Sequence, residues 1–396
     1  MQETMENRKL NILFISSWYP NKLKPLNGIF VKRHAEAVTK DCNVSAIFVR
    51  SDKNYAVEES VEDGIYTLHG YYKNPAVKIP GIYQLVKFVR YISLWRKLLF
   101  FYRRKKGKPD LIHSNIVYPV SVLATFVKIV WRVPYIIYEH WTGYMPEHGL
   151  HKGFIKKTLS RIAVSRAEAI VTPSLVLSQA MQSFGLMNKY FVIANVVDTE
   201  SFSIPPSAQH RDGGFHFMHI SSLDDHQKNV TGIVRTFKKF HALHPQTKLT
   251  IVWDEEKTEA METIQTEESF SEQDGIYLLG KKTGTELVSI FQQADAFILF
   301  SNFETQSIVL LEAISCGIPV ISSRCGGPEE FITPLNGLLV DKGNEIQLEE
   351  AMENMLKNRN RYHPEEVRNS VMYMVSKDAV AQKIMNLYKN VLGLIP

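Results

Sequence analysis

Glu304-Thr305-Gln306-Ser307-Ile308-Val309-Leu310-Leu311-Glu312-Ala313-Ile314-Ser315-Cys316-Gly317-Ile318-Pro319-Val320-Ile321 reads as loop, helix, turn and buried strand. Gly317 supplies the left-handed residue that commonly ends a helix, and Pro319 cannot continue one. Val320-Ile321 then opens a short apolar run of strand length. The two glutamates flank the expected helix start, one in the loop before it and one inside it. Free backbone N–H groups at such a start attract phosphate and other anions. Glutamates at this spacing also occur as ordinary surface charges, so their meaning depends on the rest of the chain.

Outward from that stretch, short apolar runs alternate with longer segments of helical spacing. Strands are expected at 10–16, 44–49, 111–113, 135–138, 169–172 and 191–193, then at 215–220, 248–252, 276–279, 296–300, 320–322 and 338–340. This βαβα alternation predicts α/β architecture built from doubly wound, Rossmann-like sheets. Residues 203–214, with two prolines and two glycines, read as a linker between two similar domains. The first domain is expected over 1–202 and the second from 203. The acidic segment 254–274 reads as solvated helix faces.

The 396 residues suit two domains that each bury a core, and 45% hydrophobic with 22% charged residues fits a soluble globular protein. Three cysteines, Cys42, Cys316 and Cys325, have neither a disulfide framework nor metal-ligand spacing, which predicts a reducing compartment. The beginning lacks a secretory pattern, and no uncharged apolar run reaches about 18 residues, so a cytoplasmic protein without a membrane span is expected. No G-x-G-x-x-G follows the first strand and no Walker sequence is present, which removes the main support for a dinucleotide-dependent dehydrogenase or a P-loop enzyme.

In open α/β sheets, ligands bind beyond the carboxyl ends of the strands. Gly28 follows the first strand and opens a helix with Val31, Ala35 and Val38 on one face; it either lets backbone approach a phosphate or serves as a turn glycine. His140 follows the strand 135–138 and can bond a sugar hydroxyl or move a proton, with a structural histidine as the alternative. Lys228 precedes a helix bearing Val230, Ile233, Phe237 and Phe240 on one face. It can neutralise a diphosphate as a point charge, or be a solvated helix-start lysine.

The block from Glu304 to Phe331, ending Cys325-Gly326-Gly327-Pro328-Glu329-Glu330-Phe331, resembles the donor-site signature of family 4 retaining nucleotide-sugar glycosyltransferases, which have the GT-B fold. Gly28-Ile29-Phe30-Val31, Glu139-His140-Trp141-Thr142 and Asn195-Val196-Val197-Asp198 extend the resemblance over most of the chain. The resemblance implies that Glu312 binds the ribose hydroxyls and that Glu304 lies near the donor sugar. It further implies that the N–H groups of Gln306, Ser307, Ile308 and Val309 hold the diphosphate, and that Lys228 offsets leaving-group charge. His140 would touch the sugar, while Gly28, Ser222, Gly280 and Lys281 complete the donor site. It also implies a donor-binding domain over 203–376 and a C-terminal helix, 377–396, that returns to the first domain. No metal, cofactor or nucleic acid is expected, and a UDP-sugar is the expected donor, on family habit.

Three departures stand out. Ser221-Ser222 replaces a usual arginine, Gln306-Ser307 replaces a common Phe-Gly, and Trp253 stands where a glycine-containing turn is common. The first removes a positive charge from the diphosphate site. The alternative functions are a nucleotide-sugar epimerase or hydrolase of the same fold, or an inactive nucleotide- or glycan-binding relative.

The net charge of +5 is concentrated: residues 64–109 hold eleven Lys or Arg and no Asp or Glu, leaving 35 basic against 41 acidic residues elsewhere. Within 81–106, Leu85, Phe88, Ile92, Trp95 and Leu99 share one helical stripe, expected to pack on the domain. Lys87, Arg90, Leu94, Lys97, Phe101 and Arg104 share another. Lys87, Arg90, Lys97, Phe101 and Arg104 are expected to meet an anionic membrane surface, consistent with a lipid-linked acceptor at the inner face of the cytoplasmic membrane.

Overall fold

The computed structural model describes residues 8–77, 79–205, 214–253 and 259–395. It divides into two compact units: Met1–Pro173, Leu177–Val196 and Val380–Pro396 form the first, and Ser174–Val176 with Val197–Ala379 the second. Each unit is α/β. Most of the acidic segment 254–274 is described, with the short helix Glu272–Asp274 at its end, but 254–258 and most of the 203–214 linker lie outside the described residues.

The first unit carries eight strands: β1 (Leu10–Ser16), β2 (Cys42–Asp52), β3 (Ala56–Glu62), β4 (Ile65–Lys73), β5 (Leu111–Asn115), β6 (Tyr135–Tyr138), β7 (Ala169–Thr172) and β8 (Tyr190–Val192). Their order is β3-β4-β2-β1-β5-β6-β7-β8, parallel except for the β3–β4 pair. The chain runs outward from β1 on one side and then returns to β5 on the other, so the loops after β1 and β5 diverge at a switch point. Register aligns Ser16 with Asn115, and Asn115 with Tyr138.

The β3–β4 hairpin was not expected from the hydrophobic pattern, because β3 is a largely exposed edge strand reading Ala-Val-Glu-Glu-Ser-Val-Glu. Its turn was legible: Asp63 and Gly64, at φ 53° and 77°, supply the two left-handed residues that a tight hairpin turn requires.

The first core joins apolar residues of the central strands, such as Ile12, Phe14 and Ala46, to Val31, Ala35 and Val38 from α1 (Ile29–Ala37) and its C-cap. Val380, Ala381, Ile384, Leu387 and Tyr388 of the helix Lys377–Val391 are buried in that same core, and the Tyr388 hydroxyl lies 2.6 Å from His113 Nδ1. The units divide after Val196 rather than at residue 203. The Val197 N–H bonds the Val375 carbonyl at 3.0 Å, and Arg368 donates to the Thr199 and Phe202 carbonyls at 2.7 and 2.8 Å. These bonds tie 197–202 to the second unit.

The basic segment forms α2 (Pro80–Lys106), and its inward face keeps Trp95 and Leu99 of the expected stripe but not the stripe's first turns. Leu94, Trp95, Leu98, Leu99 and Tyr102 are buried, whereas Leu85 and Phe88 are 62% and 61% exposed. Leu94, expected on the outer stripe, is in the core. Of the expected membrane-facing residues, Arg90 donates to the carbonyls of Lys73 and Asn74, and Lys97 to the Tyr55 hydroxyl; Phe101 and Arg104 are exposed. The inward stripe is shifted because β4, absent from the expected strands, supplies the surface on which α2 packs, Gly70 lying against Leu94 and Leu98.

The second unit is a parallel sheet of β9 (Phe215–Ser221), β10 (Thr247–Trp253), β11 (Ile276–Leu279), β12 (Ala296–Leu299), β13 (Val320–Ser323) and β14 (Gly337–Val340), in the order β11-β10-β9-β12-β13-β14. Here the chain reverses direction between β9 and β12, which creates the second switch point.

Candidate active site

At the second switch point the loops after β9 and β12 meet. Beyond β9, His219 donates from Nδ1 to the Ile298 carbonyl at 2.8 Å, and its Nε2 lies 2.9 Å from Ser221 Oγ. With Nδ1 carrying the proton, Nε2 accepts from Ser221, whose Oγ accepts the Leu223 N–H at 3.3 Å. Burial pushes His219 down to about 4, so the ring is neutral and the turn is held by neutral hydrogen bonds. One turn of helix, Asp225–Lys228, follows, and Asn229 at φ 48° caps the helix Val230–Leu243 by accepting the Gly232 N–H. Lys228 is thereby delivered to the site side of that helix.

Glu304 is fixed by backbone as well as by side chain. Its N–H donates to the Cys325 carbonyl at 2.8 Å, and its carbonyl accepts from Gly327 at 3.1 Å, a one-residue extension of parallel pairing beyond β12 and β13. A Cβ on Gly327 would stand 2.0 Å from the Thr305 carbonyl oxygen, so only glycine permits this approach. Glu304 Oε1 accepts from Lys228 Nζ at 2.5 Å and from Ser301 Oγ at 2.9 Å. The lysine and glutamate side chains are 14% and 6% exposed, which makes this a largely desolvated ion pair at the mouth of the sheet.

The helix Ile308–Ser315 begins between the two glutamates. Its N-cap, Ser307, sits at φ 66° and ψ 88°, a left-handed conformation that costs a serine energy and a glycine almost none. Ser307 is buried and its Oγ has no hydrogen-bond partner among the described residues. The helix carries no acidic residue in its first turn, where a negative charge would complement its positive end. Gln306 and Glu312 are buried beside this start. Ser222, Gly280 and Lys281 lie at exposed positions just past β9 and β11. A Cβ at Gly280 would meet open space, so no backbone constraint requires a glycine there.

In the first unit, Gly28 is the N-cap of α1 at φ 68°, and a Cβ there would lie 2.4 Å from the Trp18 carbonyl carbon. Close packing of two backbone segments accounts for this glycine. His140 leaves the end of β6 with its ring 4.4 Å from that of Tyr138 and 4.3 Å from that of Phe30 on α1. Neither ring nitrogen has a partner among the described residues, and burial holds the imidazole well below its usual range. It is a neutral group able to donate one hydrogen bond and accept another.

Glu139, which the sequence reading quoted only as part of a motif, positions this strand end. Its carboxylate accepts from the N–H groups of Val117, His140 and Trp141 at 2.8, 2.8 and 2.9 Å. Burial pushes it up to about 7 in spite of those three donors. Ser301, which holds Glu304, was also missed, because a serine seven residues before a helix carries no local signal. Among the described residues no cluster of three His, Cys, Asp or Glu could hold a metal ion.

Residues 29–201 match the family model described as Glycosyltransferase Family 4, and residues 203–369 match Glycosyl transferases group 1. The chain belongs to the family 4 glycosyltransferases. It is 26% identical over 245 residues to a glycogen synthase of Mycobacterium tuberculosis, covering 59% of this chain and 56% of that one. It is 22% identical over 254 residues to an alpha-monoglucosyldiacylglycerol synthase of Streptococcus pneumoniae, covering 60% and 55%. The matched stretch thus spans little more than half of these curated relatives. The Anabaena protein HepE, solved in complex with UDP-glucose, superposes with a TM-score of 0.72 at 16% identity over 96% of this chain and all of its own. The two Rossmann-like sheets of this family 4 chain are those of the GT-B fold.

Proposed function

We propose that this family 4 chain is a retaining, metal-independent glycosyltransferase that moves a sugar from a nucleotide diphosphate donor, UDP-linked by preference, to a glycan or lipid-linked acceptor. The observation that carries this reading is the Lys228–Glu304 pair beside the start of the helix Ile308–Ser315, whose first turn holds no acidic residue. A diphosphate seated there receives the Lys228 ammonium and the first N–H groups of the helix. Both stabilise the charge that develops as the C1–oxygen bond loosens to an oxocarbenium-like state. Glu312 takes the ribose hydroxyls, and in the first unit the neutral His140 ring offers one donor and one acceptor to a sugar hydroxyl.

Glu304 is engaged by Lys228 and Ser301 through the same oxygen. That arrangement suits a group holding the lysine in place and favours attack by the acceptor on the face of departure, with the leaving oxygen as base. A Glu304 nucleophile remains the rival. HepE's bound UDP-glucose supports the choice of base, and the streptococcal relative supports a lipid acceptor. Such an acceptor suits an enzyme of cell-surface polysaccharide or glycolipid synthesis working at the inner face of the cytoplasmic membrane, reached through the basic helix α2. No described helix is long and apolar enough to cross a membrane.

Ser221-Ser222, in place of the usual arginine, favours one second reading, a relative that binds nucleotide without transfer. Thermal unfolding against UDP, GDP, ADP and their sugar conjugates tests the donor site. Ligand at about 100 times its dissociation constant adds about 2.7 kcal/mol. A shift with one nucleotide series that disappears in Glu312→Ala is expected. No shift with any series would overturn the donor site, and a shift without transfer to any acceptor would favour the second reading.

A further inference from the structure

We propose that a groove between α2 and α3 (Val122–Trp131) binds one anionic membrane lipid, headgroup phosphate on arginine and acyl chain on the apolar floor. The proposal rests on the membrane reading of α2 and replaces the residues that reading assigned with a defined site. The groove has a volume of about 550 Å³, within the range of ligand pockets. Ser93, Arg96, Lys97, Phe100 and Arg103 line it from α2. Leu123, Phe126, Val127, Val130 and Trp131 line it from α3, spaced as one helical face.

Two features point to an amphiphile with negative charge. The apolar wall is not closed by protein: Phe100, Phe126 and Val130 are 64%, 59% and 57% exposed, and Ile129 beside them is 65% exposed. A soluble protein rarely leaves such a patch bare without a partner. Arg103 lies against the Trp131 ring, its guanidinium carbon 5.4 Å from the centroid, and its Nη1 is buried with no hydrogen-bond partner among the described residues. A buried guanidinium nitrogen without an acceptor is costly, and a phosphate oxygen is the acceptor its geometry suits. Arg96 and Lys97 stand at the same rim, in a segment without a single acidic residue from 64 to 109.

The exposed face extends beyond the groove. Ile82, Leu85, Val89, Ser93, Arg96 and Phe100 follow one another at three- and four-residue intervals, and all are exposed. This stripe lies flat against a bilayer when a lipid occupies the groove, which orients the first unit on the membrane.

The test is co-sedimentation of the full chain with phosphatidylglycerol-containing and pure phosphatidylcholine vesicles, and quenching of tryptophan fluorescence by lipids brominated on the acyl chain. Binding to the anionic vesicles is expected, with quenching that is largely lost in Trp131→Phe. Arg96→Ala should weaken binding about five-fold, and Phe126→Asp and Arg103→Ala by ten-fold or more, with the nucleotide-induced thermal shift unchanged. Equal binding to neutral and anionic vesicles would overturn the electrostatic reading of α2 together with the groove. Anionic binding that survives Phe126→Asp and Arg103→Ala, or brominated lipids that leave Trp131 unquenched, would overturn the groove alone. So would a dimer in solution that Phe126→Asp dissociates.

Discussion

Replacing Lys228 by alanine should cost this protein both turnover and stability, through one geometry. The ammonium is 2.5 Å from Glu304 Oε1, and the two side chains are 14% and 6% exposed. Truncating the lysine leaves a mostly desolvated carboxylate with the Ser301 hydroxyl at 2.9 Å. Breaking a buried pair from one side costs about 3–5 kcal/mol, and the lysine's residual 14% exposure argues for the lower figure. For a domain of 150–250 residues that is a fall in Tm of roughly 6–12 °C. Turnover should fall by about 10²–10³, the effect of losing one preorganised donor from a developing oxyanion.

The double variant Lys228→Ala/Glu304→Gln separates the two effects, because it removes the stranded charge while leaving the proposed diphosphate site without its cation. Thermal unfolding and initial rates of sugar transfer, or of donor hydrolysis, are the assays. Tm should recover in the double variant while turnover stays low. A single variant within about threefold of wild-type turnover, against the 10²–10³ expected, would refute the assignment of Lys228. A double variant no more stable than the single would refute the stranded carboxylate.

Ser307→Gly should relieve the left-handed strain at φ 66°. The roughly 1–2 kcal/mol gained there exceeds the 0.5–1 kcal/mol that glycine's freer unfolded chain costs, so denaturant unfolding should show a gain of up to about 1 kcal/mol. Gly327→Ala should do the reverse, because the new Cβ would meet the Thr305 carbonyl at 2.0 Å; a lower Tm together with reduced turnover is expected as the Glu304 loop is displaced. Acid should destabilise the fold: His34, pushed down to about 3 by burial, and His219 and His151, to about 4, stay neutral when folded but charge when unfolded. Stability is therefore present above about pH 6.5 and lost as pH falls toward those values, at up to about 1.4 kcal/mol per pH unit per histidine. Glu139, pushed up to about 7, has the opposite sign and loses stability as pH rises from about 4.5, offsetting one of them. Urea unfolding at pH 7 and pH 5 should show the net loss at pH 5, and His219→Gln should shrink it.

The sequence by itself determined the alternation of strands and helices and the segments that leave each strand's carboxyl end. Those are properties of hydrophobic period and of glycine and proline punctuation, which act over a few residues. It also placed a helix start between Glu304 and Glu312, because Gly317 and Pro319 end that helix within reach of the first glutamate. It did not determine what the charged side chains touch. Lys228 and Glu304 are 76 positions apart and meet only because β9 and β12 are neighbours at a switch point. The strain at Ser307 and the need for glycine at 327 likewise arise from backbone held by distant partners. The inward face of α2 was read only in part, at Trp95 and Leu99, for the same reason: a helix with apolar residues on several sides takes its orientation from the surface it meets, and the pairing of β4 beside β2 is a tertiary contact. The groove beside α2 exists only where two successive helices lie together and leave an arginine nitrogen without an acceptor.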